Sequence, residues 1–320
     1  MDDYQGRIGQ RPMITDLGPL YRMLAHALAT DPERFWVAEG GAEGEAGTTG
    51  GEGVKPFEAP VCGFASATVR EGLWFLAMLF VRPDLQAAGV GSALLDRAQA
   101  GRDVDHGGPA VPGPDQPFDT GIHTWGMCTD AAQPISNALY ARRGMPSRMP
   151  IWRLAGEVHR WPALPALPAS LAETSFEQLA FDGRDGGRRL AEIVNALDRE
   201  ILGAAHPEEH GYLRRDGRSG YLVRDRASGK AVGYTYGSGG GRLGPVATLD
   251  PALAPAMLGV AIRETPILGT MAAWVPGTFD EALRGLLDAG LRLEGFPGLV
   301  CWSRPELPFD RYVPISLALV

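Results

Sequence analysis

The stretch FVRPDLQAAGVGSALLDRA, residues 80–98, constrains this chain more than any other. The apolar run before it ends at Val81-Arg82-Pro83, because proline cannot donate to a central ladder. Gly89 and Gly91 follow, and apolar residues then recur at helical spacing. A bare corner between a strand and a helix has two physical uses. Glycine reaches positive φ, or it lets a ligand approach the backbone closely. The first N–H groups of a helix lack internal partners and carry the positive end of its dipole, so such a corner suits a phosphate.

Alternating elements surround this corner. Residues 17–28 have helical spacing and 35–39 read as a strand. The runs 61–69 and 72–81 read as an antiparallel pair, the second buried on both faces. After the corner, 122–128 read as a strand and 134–144 as a helix with proline at its start and glycine at its end. Residues 147–156 close this half as an edge strand. The second half repeats the order: helix 188–202, a hairpin over 220–237 with its turn at 225–230, strand 243–251, helix 251–262, strand 267–275, helix 279–291, and strands 293–302 and 313–320. A repeated domain is the simplest explanation.

A length of 320 residues suits two domains of about 150 residues. Two stretches rich in glycine or proline, 40–53 and 101–121, read as long surface loops. HRWPALPALPAS, residues 159–170, reads as the link between the halves. The expected division is therefore 1–156, a linker over 157–175, and 176–320. A net charge of -8 argues against nucleic acid as a partner. No run is apolar for long enough to span a bilayer, and MDDYQGRIGQ has no basic or apolar leader region, so a cytoplasmic protein is expected. Cys62, Cys128 and Cys301 are widely spaced, which implies neither a disulfide framework nor a zinc motif. HPEEH, residues 206–210, is not HExxH, and no metal is expected.

The corner is not a Walker loop, since no Gly-Lys-Ser/Thr follows, nor is it GxGxxG, since Leu94 stands at the third glycine. Its spacing, V-x-P-x-x-Q-x-x-G-x-G between an apolar strand and a Leu-Leu pair, resembles the acetyl-CoA-binding motif of the GNAT N-acetyltransferase superfamily. SNALYARRGM, residues 136–145, resembles that family's later helix end. The resemblance covers residues 1–156. It implies an α/β (α+β) fold of two GNAT-like domains, each a mixed, largely antiparallel sheet flanked by helices.

The resemblance also implies roles. The amides of Gln86, Ala87, Ala88, Gly89, Val90, Gly91 and Ser92 would hold the CoA pyrophosphate. The strand before them would splay from its neighbour, and the freed backbone of Leu79, Phe80 and Val81 would pair with pantetheine. Tyr140 would donate a proton to the departing thiolate, which its phenol can do because its usual pKa lies above that of a thiol. The family often has asparagine where this chain has Gln133; Asn137, one turn before Tyr140, could still face the cofactor. Some relatives have a glutamate base on the strand before the corner, where this chain has Phe75. His123 is then the best-placed histidine for a base, and His206 and His210 could face the substrate or line a loop.

The second half departs from the pattern. Aligning Pro251 with Pro83 puts Ala254 at Gln86 and Met257 at Gly89, and Pro255 removes a donor from the cradle. Aligning Gly290 with Gly144 puts Leu286 at Tyr140. This half reads as a degenerate copy without a cofactor site, in which Trp274, Trp302 and Tyr312 could line a pocket or pack the core. The expected activity is acetyl-CoA-dependent transfer to a primary amine, on a small molecule or peptide, by a monomer or homodimer. The alternatives are a non-catalytic acyl-CoA-binding module and, should the corner be a Rossmann turn, a dinucleotide oxidoreductase. The paired strands before the corner oppose the last.

Overall fold

The computed structural model describes residues 17–40, 60–100, 121–182, 185–267 and 269–319. Nearly all of the two expected loops, 41–53 and 101–120, lies outside the described residues. The chain divides into two compact units, 1–69 with 74–116, and 70–73 with 117–320.

The first unit contains α1 (Gly18–Thr30), β1 (Phe35–Glu39), β2 (Val61–Arg70), β3 (Leu73–Val81, which begins in the second unit) and α2 (Val90–Ala100). β1 pairs antiparallel with β2, and β3 follows on the other side of β2. Leu94, Leu95 and Ala98 bury one side of α2, as their helical spacing requires. The helix end is tied down by side chains. The Trp74 indole donates to Ala98 O at 3.0 Å, and Arg34 donates to Ala98 O at 3.0 Å and Gln99 O at 2.9 Å. These donors satisfy carbonyls that the helix cannot. A Cβ at Gly63 would lie 2.8 Å from Phe80 O and 3.1 Å from Leu94 Cδ1, so glycine lets β2 pass close to both.

The second unit is built on two sheets. One has the order β4 (Thr124–Asp130), β12 (Gly298–Trp302), β5 (Ser147–Glu157), β10 (Thr270–Pro276), with the short β11 (Arg292–Leu293) also on β5. The other runs β13 (Tyr312–Val313), β9 (Leu243–Thr248), β8 (Ala231–Ser238), β7 (Arg218–Asp225), β6 (Leu171–Ser175). The helices are α3 (Pro134–Arg142), α4 (Phe176–Ala180), α5 (Gly186–Ile201), α6 (Pro207–Arg215), α7 (Ala254–Glu264) and α8 (Asp280–Asp288). Leu154, Val246, Met257, Leu258, Val275 and Leu286 lie at the centre of its core, each under 1 % exposed.

The strand pairing crosses the expected boundary at residue 156. β12, from the second half of the sequence, lies antiparallel between β4 and β5, while β5 pairs on its other side with β10. β5 is thus an interior strand, not the expected edge strand. Pro150 fits because its carbonyl, not its missing N–H, makes the contact: Gly277 N donates to it at 2.9 Å. The expected linker also shortens, since residues 171–175 form β6. Of the expected strand 313–320 only Tyr312–Val313 pairs with β9, and Pro314 follows.

Gly126 admits β12. A Cβ there would lie 2.0 Å from Trp302 Cζ3, inside the indole ring that covers it. Trp302 is 2 % exposed and packs edge-on against Phe309, with ring centroids 5.9 Å apart. Gly126→Ala is therefore expected to destabilise the chain by about 2 kcal/mol, the usual cost of forcing an extra carbon into a filled core. Chemical denaturation followed by tryptophan fluorescence checks this; an unchanged midpoint would mean that Trp302 does not occupy that site.

Candidate active site

In the first unit, β3 ends at Val81 and a 3-10 turn over Pro83–Leu85 leads to residues 86–89 before α2 begins at Val90. Arg82 N donates to Cys62 O at 2.8 Å, toward β2. By strand alternation the backbone of Val81 and Leu79 then faces the opposite edge. Val81 O accepts from Gln86 Nε2 at 3.3 Å, which draws the corner toward the strand end. Two positions take positive φ, Ala87 at 66° and Gly89 at 90°. Glycine does this without strain; for alanine the left-handed region costs about 1–2 kcal/mol. Strain of this kind persists where surroundings enforce it, commonly at ligand sites.

The corner faces solvent from Gln86 to Gly89. The first bond into the helix is Ala93 N to Gly89 O at 3.0 Å. Among the described residues no acceptor meets the N–H groups of Ala87, Ala88, Gly89, Val90 and Gly91. Alternating left-handed positions next to a helix N-terminus gather such amides into an anion-binding concavity.

In the second unit, β4 leads through Gln133 into α3. Asn137 Nδ2 donates to Asp130 O at 3.1 Å and to Gln133 O at 2.8 Å. Two carbonyl acceptors fix the amide's orientation and leave Asn137 Oδ1 buried with no partner among the described residues. An orphaned buried acceptor calls for an external donor. Gln133 takes part through its backbone, which caps the helix.

The end of α3 explains the LYARRGM pattern. Met145 N donates to Tyr140 O at 3.0 Å and Gly144 N to Ala141 O at 3.1 Å, with Gly144 at φ 76°. This double bond pattern closes a helix end and requires the left-handed glycine. It also holds Tyr140 one turn before the stop. Tyr140 is 4 % exposed, and no described residue is hydrogen-bonded to its hydroxyl. Burial, assisted by the Cys301 thiol, pushes that hydroxyl well above the ordinary phenol range. It therefore holds its proton at neutral pH. Burial likewise pushes the Cys301 thiol up to about 12. Cys62, Cys128 and Cys301 are all free.

His123 stands just before β4 and is exposed. Its Nδ1 lies 3.0 Å from Thr124 Oγ1, its carbonyl accepts from Arg304 Nε at 2.9 Å, and its ring covers Gly72. The structure gives Tyr140 a neighbour in Cys301 rather than in His123.

The second half repeats the frame and closes each of these features. Gly290 N donates to Leu287 O at 3.0 Å and Leu291 N to Leu286 O at 3.2 Å, with Gly290 at φ 112°. The helix end is the same, and Leu286, fully buried, stands at the position of Tyr140. A 3-10 turn over Pro251–Leu253 runs straight into α7 at Ala254, so the helix passes through the place of the corner and Met257 lies in the core. Just before β9, Arg242 makes a parallel bridge with Ala272 of β10, and β9 and β10 then lie in different sheets. In the wedge the chain itself pairs with β9: Tyr312 with Ala247 and Val313 with Val246. This edge corresponds to the one that faces away from β2 in β3.

Reading the sequence missed a buried polar cluster in this half. Asp198 on α5 shares the buried face of Leu190, Val194, Leu197 and Ile201, and it meets His206, His210 and Tyr234. A charged residue on an apolar stripe, followed by histidines four apart, was the available signal.

No family model matches the chain, and no curated protein matches it in sequence. Among solved structures it is similar to an acetyltransferase candidate from Pyrococcus horikoshii, with a TM-score of 0.62 at 13% identity over 96% of this chain and 88% of that one. That likeness shows a shared fold. Two others overlay too loosely to carry an argument. A GCN5-related N-acetyltransferase from Sphaerobacter thermophilus has a TM-score of 0.46 at 20% identity, covering 78% of this chain and 80% of its own. A tandem GNAT protein from the clavulanic acid biosynthesis pathway has a TM-score of 0.41 at 16% identity, covering 78% and 82%.

Proposed function

We infer, from a chain with the GNAT fold and one phosphate-receptive corner, that this protein is an acetyl-CoA-dependent N-acetyltransferase acting on a primary amine. The corner carries the reading: five successive amides without acceptors, at the start of an eleven-residue helix, with Ala87 held at positive φ. A plain strand-to-helix turn needs no strained alanine.

The residues fit acetyl-CoA, which when bound supplies an activated acetyl thioester. The amides from Gln86 to Ser92 would take its pyrophosphate. The edge of β3 where Leu79 and Val81 turn their backbone groups would offer them to pantetheine, while the carbonyl of Phe80 between them faces β2 at Gly63. Asn137 Oδ1, buried and unpaired, would accept an amide N–H. Tyr140 would give its proton to the leaving sulfur: its raised pKa keeps the proton in place until a thiolate forms. The amine attacks directly, and holding both reactants together supplies the rate advantage of orientation. His123 has no comparable support: it is exposed, its Nδ1 lies beside Thr124 Oγ1, and its ring lies over Gly72.

The second half would hold no acetyl-CoA. A continuous helix replaces the corner, Leu286 replaces the phenol, and β13 covers the strand edge. A screen of primary amines with acetyl-CoA, following release of the thiol, tests the activity. Turnover on at least one amine class is expected. Saturable CoA binding with no turnover on any amine would favour an acyl-CoA-binding module instead.

A further inference from the structure

We propose that Asp198, His206 and His210 form a binding site for one divalent transition-metal ion. This proposal does not depend on the acetyltransferase reading. One ligand atom of each residue lies within 4.8 Å of the other two. Asp198 Oδ2 is 2.8 Å from His210 Nε2 and 3.4 Å from His206 Nδ1. Asp198 lies on α5, His210 on α6, and His206 directly before α6, so two helices fix all three.

His210 Nε2 lies within hydrogen-bond distance of Asp198 Oδ2, and three further observations point to a cation. Asp198 is fully buried, and among the described residues neither lysine nor arginine bonds it. A buried carboxylate needs a compensating charge. His206 is 2 % exposed, and its Nε2 has no partner among the described residues. The outer groups are arranged as around a metal: Tyr234 donates to Asp198 Oδ1 at 2.7 Å, leaving Oδ2 to its neighbours, and Tyr236 Oη lies 2.8 Å from His210 Nδ1, leaving Nε2 inward. Such second contacts orient metal ligands. His206 and His210 also line a small cavity with Glu209, Tyr234 and Tyr312. Glu209 itself is engaged by Arg70 at 2.7 Å.

Two imidazoles and one carboxylate suit zinc, cobalt(II) or iron(II); calcium and magnesium prefer all-oxygen sites. The full-length chain, stripped with a chelator, is titrated with Co²⁺ followed by its visible absorption, and then with Zn²⁺ in competition. One equivalent per chain is expected, together with a thermal midpoint that rises with Zn²⁺ concentration. His206→Ala removes the imidazole whose Nε2 has no partner among the described residues and leaves the Tyr234–Asp198–His210–Tyr236 contacts, so it should fold. It is expected to weaken Co²⁺ binding at least about tenfold, as loss of a ligand requires. His210→Ala should do the same. Absence of saturable Co²⁺ and Zn²⁺ binding by the wild type overturns the proposal. So does one-equivalent binding of unchanged affinity in His206→Ala.

Discussion

Gly89→Glu is expected to abolish CoA binding, with Kd raised at least about a hundredfold, equivalent to about 2.7 kcal/mol. Two effects combine. Gly89 sits at φ 90°, where a side chain is strained, so the substitution tilts the neighbouring amides. Its carboxylate would then stand where the proposed pyrophosphate charge would sit, against the helix N-terminus. The loss is local, because a Cβ at Gly89 meets nothing within 4 Å and the fold has room for it. Circular dichroism should match the wild type while calorimetry with CoA shows no saturation. Binding retained within tenfold would move the phosphate site away from this corner.

Tyr140→Phe is expected to lower kcat about a hundredfold, at the lower end of what a positioned general acid contributes. CoA affinity should stay within about threefold, since no described residue bonds the hydroxyl in the resting chain. The pH profile carries the sharper signature. Burial raises the Tyr140 pKa, so the protonated donor persists through the ordinary phenol range near pH 10. The wild type should therefore lose no activity from this group below about pH 10. Equal turnover by Tyr140→Phe at every pH would remove the donor role.

What could be read from the sequence was local. The corner, the α3 end and the α8 end each depend on a glycine whose positive φ the neighbouring pattern demands. So did the hairpin of β7 and β8 and the helical spacing of α2 and α5. What escaped was non-local. Nothing within GLVCW says that it will separate β4 from β5; that depends on Gly126, over 170 residues earlier, leaving space for Trp302. The strand at 147–156, expected at an edge, is interior, and Pro150 is accommodated there because its carbonyl bonds Gly277. The helix α6 was hidden because HPEEHGYLRR is polar and short, and its stability comes from burying Tyr212 and Leu213. In the second half the missing phosphate cradle was legible as DPALAPAML. The covering of β9 by Tyr312 and Val313 was not, since two residues before a proline carry little strand signal.

One acetyl-CoA site is expected in this chain, between β3 and α2, and none in the second half. Calorimetric titration of the full-length protein with acetyl-CoA measures this directly. One saturable site per chain is the predicted result, set by the corner between β3 and α2. Two sites per chain, or no saturable binding at all, would contradict it.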